Sequence, residues 1–142
     1  MLTAVITVSG AASIGTTPIA YGQITDDTVK AEKVAISVSD TEGIVREYFK
    51  DIPVMVAVAK CESHFQHTLQ DGSVLKGRID SADTGVMQIN KRYHETRAIE
   101  LGLNLENIYD NMAYARHLYE SQGTQPWKAS SACWNNTIAY NN

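Results

Sequence analysis

One glutamate, Glu62, stands where an apolar run of Val54, Met55, Val56, Ala57, Val58 and Ala59 gives way to Lys60 and Cys61. Apolar surroundings disfavour a charged carboxylate, so a carboxyl group there has a raised pKa and stays able to donate a proton near neutral pH. Breaking a glycosidic bond needs such a donor for the leaving oxygen. Most glutamates are solvated surface charges. What distinguishes Glu62 is its place at the end of a helix that belongs in the core.

That helix is predicted from Pro53, a residue suited to a first helical turn, and from the run of residues 54–59, which is apolar on every side of the helix. An earlier short helix is expected from Ser39 and Asp40, which can cap it, through Ile44, Val45, Tyr48 and Phe49 at helical spacing. Residues 70–83 turn polar, and Asp71, Gly72 and Gly77 around Val74 and Leu75 suit a β-hairpin or loop forming one wall of a cleft. Asn104 can cap a further helix in which Ile108, Met112, Ala115 and Tyr119 share a face until Gly123 ends it. Pro126 and Trp127 open a last short helix reaching Cys133 and Trp134, and residues 135–142 are polar enough to fray. The fold class is therefore mainly α, with a small β-hairpin or loop flanking a cleft.

Glu62, Ser63, His64 and Phe65, and then Gly85, Val86, Met87, Gln88, Ile89 and Asn90, resemble the paired signature of soluble lytic transglycosylases and goose-type lysozymes, with Val86 in place of the family's leucine. Met87 through Lys91, Arg92, Tyr93 and His94 is similar to the goose-type sequence, and Asn111 with Tyr114 and Leu118 resembles the family's later asparagine helix. The resemblance covers residues 51–134 and implies an α+β lysozyme-like domain. It further implies that Glu62 protonates the bond between N-acetylmuramic acid and N-acetylglucosamine in peptidoglycan, then takes the proton of the muramyl 6-hydroxyl, giving a 1,6-anhydro sugar. Such an intramolecular attack explains how one carboxylate suffices. By the same likeness Ser63 holds Glu62 or the substrate's acetamido group, and Met87, Gln88, Asn90 and Asn111 belong to the sugar site, the alternative for the first three being loop structure; Tyr93, directly after this motif, is the tyrosine expected to touch the glycan.

Two departures qualify the match. Asn90 stands where goose-type lysozymes place an aspartate that positions water, so a hydrolase needs its second carboxylate elsewhere; Asp80 and Asp83 are available, each also explicable as a loop residue. The family's closing alanine, tyrosine, asparagine, alanine, glycine pattern is met only in its first three letters by Ala139, Tyr140 and Asn141. Tyr140 is the candidate for the family tyrosine that bonds the glutamate, with Tyr93 or Tyr114 as substitutes. Tyr109, Tyr119, Trp127 and Trp134 offer faces on which sugars stack, or serve as core.

The 142 residues and an apolar fraction of 44% suit one domain. The net charge of −4 gives no field for binding nucleic acid. Residues 1–25 carry no charge, and an apolar run at residues 2–8 with Ala20, Tyr21 and Gly22 beyond it reads as an export signal cleaved after residue 22, or else as a disordered start. Residues 23–38 then form a linker and residues 39–142 the domain. The leader falls short of the roughly 20 apolar residues of a membrane span. Two cysteines in an exported chain suggest a Cys61–Cys133 disulfide, the alternative being two unrelated thiols. Cys61, His64 and His67 recur every third residue, yet lack an evident fourth ligand, so no metal is expected and the histidines read as surface groups. Proton transfer needs no cofactor. The expected partner is a peptidoglycan strand, met by a monomer outside the cytoplasm. Hydrolysis of the same bond is one alternative; a non-catalytic peptidoglycan-binding module is another, although such a module has no chemical need for Glu62.

Overall fold

The computed structural model describes residues 38–139, so the expected leader (1–22), most of the expected linker (23–37) and Tyr140 lie outside the described residues. Within them the chain is mainly α, with one two-stranded antiparallel sheet. Helix α1 spans Val38–Tyr48 and α2 spans Pro53–Ser63; β1 (Asp83–Thr84) and β2 (Ile89–Asn90) come next. Helices α3 (Lys91–Glu100) and α4 (Ile108–Gln122), a 3-10 helix (Gln125–Ser130) and α5 (Ser131–Ala139) complete the order.

Helix α2 is the centre of the fold. Pro53 sits in its first turn, and Met55, Ala57, Val58 and Ala59 are buried. Val45 of α1, Phe49 in the turn after it, Met112, Ala115 and Leu118 of α4, and both tryptophans join the same core. At its far end α2 stops sharply. His64 and Phe65 both take left-handed backbone conformations (φ 53° and 62°), and the His64 N–H donates to Lys60 O. Two consecutive non-glycine residues at positive φ are costly to hold and imply that packing overrules local preference, here by burying Phe65.

Several boundaries differ from expectation. Helix α1 is described from Val38 onward, so Ser39 and Asp40 lie within it instead of capping it. Asn107, not Asn104, caps α4, its side chain accepting from Tyr109 N and Asp110 N; Asn104 instead accepts from Glu106 N in the preceding turn. Of residues 70–83, Val74 and Lys76 form only single bridges, to Thr68 and Thr84, and the paired strands begin at the end of that stretch, joining Asp83 to Asn90 and Thr84 to Ile89. Helix α3 was not foreseen, because Ala98 is its one buried residue and it leaves no apolar stripe in the sequence. Helix α5 runs to Ala139, well into the stretch expected to fray.

A disulfide joins Cys61 of α2 to Cys133 of α5 across 72 residues of chain. No helix of the described residues is long and apolar enough to cross a membrane. Loss of the bond releases the unfolded chain from a long closed loop, a cost of about 4 kcal/mol in the chain-entropy account. The Cys61→Ser, Cys133→Ser double variant should lose stability on that scale in urea unfolding, compared with the oxidised protein, and an unshifted midpoint would mean the bond constrains nothing.

Candidate active site

Glu62 lies one residue before the end of α2, half-buried, and lines two adjoining cavities of about 400 and 440 Å³ that also share Asp83 and Gln88. Burial pushes its carboxyl above the usual carboxylate range; a hydrogen bond from Ser130 opposes this, and the charge of Asp83 adds to the rise. Ser130, in the 3-10 helix, has Glu62 Oε1 at 2.6 Å and Trp127 O at 3.1 Å. A hydroxyl has one proton to give. Toward the ionised carboxylate it donates to Glu62; once Glu62 is protonated, the carboxyl O–H can donate to Ser130 Oγ while Ser130 donates to the Trp127 carbonyl. Both states keep a partner, and the charge-assisted bond to the carboxylate is the stronger.

The opposite wall is the turn that carries Gln88. Its backbone is held from behind by buried polar groups. Asn111 of α4, fully buried, accepts from Met87 N and donates to Thr84 O and Leu105 O. His67, also buried, accepts at Nδ1 from Val86 N, which leaves Nε2 to donate to Glu106 O. Trp127 Nε1 donates to Met87 O, tying this wall to the 3-10 helix that holds Ser130. Gly85 fits between these groups with φ 73°, and an added Cβ would lie 2.7 Å from Asn111 Nδ2 and 2.8 Å from His67 Cε1. Gln88, at φ 49°, is turned toward both cavities, its amide donating to Gly85 O.

Asp83 and Asp80 separate clearly. Asp80 accepts from Ala82 N, Asn90 Nδ2 and Arg92, and these bonds lower its pKa; it lines neither cavity. Asp83 lines both, and Asn90 Nδ2 donates to Asp83 Oδ1 at 2.8 Å. Asn90 also caps α3 by accepting from Arg92 N, so its amide is committed to holding Asp83 and the helix.

Of the residues assigned to sugar contact, Gln88, Asn90 and Tyr93 line the first cavity, Tyr93 being 78% exposed. Met87 and Asn111 do not fit that assignment: both are fully buried and line neither cavity, because they support the turn from behind. Ser63 reaches the second cavity, but its hydroxyl donates to Ala59 O rather than to Glu62. Cys61 is in the disulfide, α2 ends before His64, and both ring nitrogens of His67 are bonded, so these three do not form a metal site; nor is His67 a surface group. Tyr109 is exposed, Tyr119 packs on the core, and both tryptophans are buried, Trp127 with an edge on the first cavity. Tyr114 is buried and pairs its hydroxyl with His94 Nδ1 at 3.2 Å.

Sequence reasoning missed Ser130, His94 and the floor made by Gln125 and Pro126. Ser130 carries no local signal, since its role comes from a partner 68 residues away. His94 lay inside the quoted motif, four residues after Asn90, and was open to the same inspection as Tyr93. Another groove of about 460 Å³, lined by residues of α1, α2 and α5, has no carboxylate in its lining.

Comparison of the chain with protein-family models, curated proteins and solved structures finds no match.

The geometry of the site makes two expectations specific. Gly85→Ala, strained at positive φ and crowded by Asn111 and His67, should destabilise the fold by about 2–4 kcal/mol in urea unfolding; a loss below about 1 kcal/mol would show that the turn yields easily. Ser130→Ala removes the bond that favours the Glu62 carboxylate, so the carboxyl pKa rises further and the proton donor survives to higher pH. The titration of the Glu62 carboxyl, followed by carboxyl-carbon NMR, should therefore move upward; a downward shift would contradict the assigned direction of the bond.

Proposed function

We propose that this protein cuts the glycan strands of peptidoglycan as a lytic transglycosylase. The single observation that carries the reading is a half-buried carboxyl of raised pKa, Glu62, at the meeting of two cavities sized for sugars. The two short motifs resembling lytic transglycosylases and goose-type lysozymes supply its wall and its acid.

Neutral Glu62 donates its proton to the glycosidic oxygen as the bond from the muramyl anomeric carbon breaks, and N-acetylglucosamine leaves with a hydroxyl group. The resulting carboxylate then takes the proton of the muramyl 6-hydroxyl while that oxygen bonds to the anomeric carbon. Glu62 ends protonated, no water is consumed, and the product is a 1,6-anhydro sugar. No cofactor is required. Gln88, Asn90 and Tyr93 are the candidate sugar contacts.

A second reading, hydrolysis, has its own support in Asp83, a second carboxylate on the same two cavities. The presence of an acid with a tuned environment weighs against a purely binding module. We further infer an exported monomer with residues 1–22 as its signal; the Cys61–Cys133 disulfide suits an oxidising compartment.

Digestion of purified peptidoglycan with mass spectrometry of the released sugars separates these readings. Anhydro-muropeptides should appear, and Glu62→Gln should lower their release by about 10²–10⁴-fold. Reducing ends lost in Asp83→Asn would establish hydrolysis instead, and intact glycan with retained binding would leave a binding module.

A further inference from the structure

The two cavities that meet at Glu62 share Asp83 and Gln88 but differ in charge. The one beside the 3-10 helix adds neutral groups such as Asn90, Tyr93, Gln125 and Trp127, together with His94, whose burial lowers its pKa and favours the neutral ring. The other adds Lys76 and Arg78. Lys76 is already divided between Thr84 Oγ1 and Glu106 Oε1, each at 3.3 Å. Arg78 is exposed and has no hydrogen-bond or ion-pair partner among the described residues. Beside it Ile79, on the same wall, is 102% exposed.

A neutral sugar chain gives no reason for a guanidinium without a partner among the described residues and a bare aliphatic side chain on one wall of its cleft. Together they suit a ligand that is anionic and carries small apolar groups. A guanidinium grips a carboxylate with two parallel hydrogen bonds, and an exposed isoleucine next to it covers methyl groups.

Resting on the transglycosylase reading, we infer that Arg78 and Ile79 receive the acidic peptide stem attached to muramic acid, so that the enzyme selects glycan whose stems are in place. The stem has the required chemistry: free carboxylates and alanyl methyl groups. It also has the required location. It hangs from the lactyl group of the muramyl ring whose anomeric bond is cut, and Arg78 and Glu62 line one cavity. Lys76 adds positive charge to the same cavity, its amino group already bonded to Thr84 and Glu106.

Three soluble strand preparations test this with the full chain: strands with native stems, strands whose stem carboxylates have been amidated, and strands stripped of stems by an amidase, which leaves the lactyl carboxylate. Native strands should be cut with a kcat/KM roughly two- to fivefold above amidated ones, the scale of one exposed charge-assisted pair. Arg78→Glu should abolish that preference, and Arg78→Lys should restore part of it. Equal rates on native and amidated strands, unmoved by Arg78→Glu, overturn the stem site while leaving the transglycosylase reading intact. Stripped strands cut as well as native ones and lost in Arg78→Glu would assign the guanidinium to the lactyl carboxylate and overturn the stem site too. No cleavage of any strand by the unaltered protein overturns the transglycosylase reading itself.

Discussion

Taking a carboxyl group partly out of water costs free energy that its surroundings must offset, and around Glu62 those surroundings come from separate parts of the chain. Helix α2 supplies the burial, since its own residues are too apolar to stay at the surface. The 3-10 helix supplies Ser130, the direct hydrogen-bond partner. The disulfide sits one residue before Glu62 and fixes α2 to α5, which continues directly from that 3-10 helix. Movement of α5 away from α2 would withdraw Ser130 and flood the carboxyl with water, and its pKa would return toward that of an ordinary glutamate. The disulfide thus bears on acidity as well as on stability.

The facing wall obeys a different constraint. The Gln88 turn has left-handed backbone at Gly85 and Gln88 and two β residues on either side, too few to be stable alone. Its two central amides are satisfied by side chains: Val86 N by His67, Met87 N by Asn111. Both supports are buried, and a buried polar group without a partner is costly, so support and turn hold each other in place. Burial lowers the His67 pKa, so the neutral ring that can accept from Val86 is the one the fold maintains; its contribution is present above the ordinary histidine pKa and fades as pH falls through the lowered one.

How much of this could be read from the sequence depended on whether the cause was local. Helix α2 was legible because Pro53 and an unbroken apolar run act within a few residues, and the end of α4 because Gly123 adopts positive φ there. Glu62 was legible as the carboxylate just beyond that run, after Lys60 and Cys61. The start of α4 was not, since Asn104 and Asn107 are equally good caps by type and only the turn between them decides. Helix α3, with a single buried residue, has no period to detect. The motif residues Met87 and Asn111 were recognised as belonging to the site, but a motif does not say which side of a wall a residue stands on; both stand behind it. Asp80 and Asp83 looked alike until the register of β1 with β2 brought Asp83 opposite Asn90 and Asp80 fell to Arg92.

On the proposed reading, the product turns on which oxygen reaches the anomeric carbon first. The muramyl 6-hydroxyl is carried on the same ring, and well-oriented intramolecular groups act at effective concentrations of about 10⁵ M or more, far above that of bulk water. Water prevails only where a second carboxylate orients and activates it, and among the described residues Asp83 is the one carboxylate besides Glu62 on these cavities. Its Oδ1 is engaged by Asn90, while no hydrogen bond from a described residue reaches its other oxygen. An aspartate at Asn90 would repel Asp83 in place of donating to it. On that reading, an asparagine where the goose-type pattern has an aspartate removes one acid and at the same time steadies another, and the balance between transglycosylation and hydrolysis would rest on how that remaining oxygen of Asp83 is used.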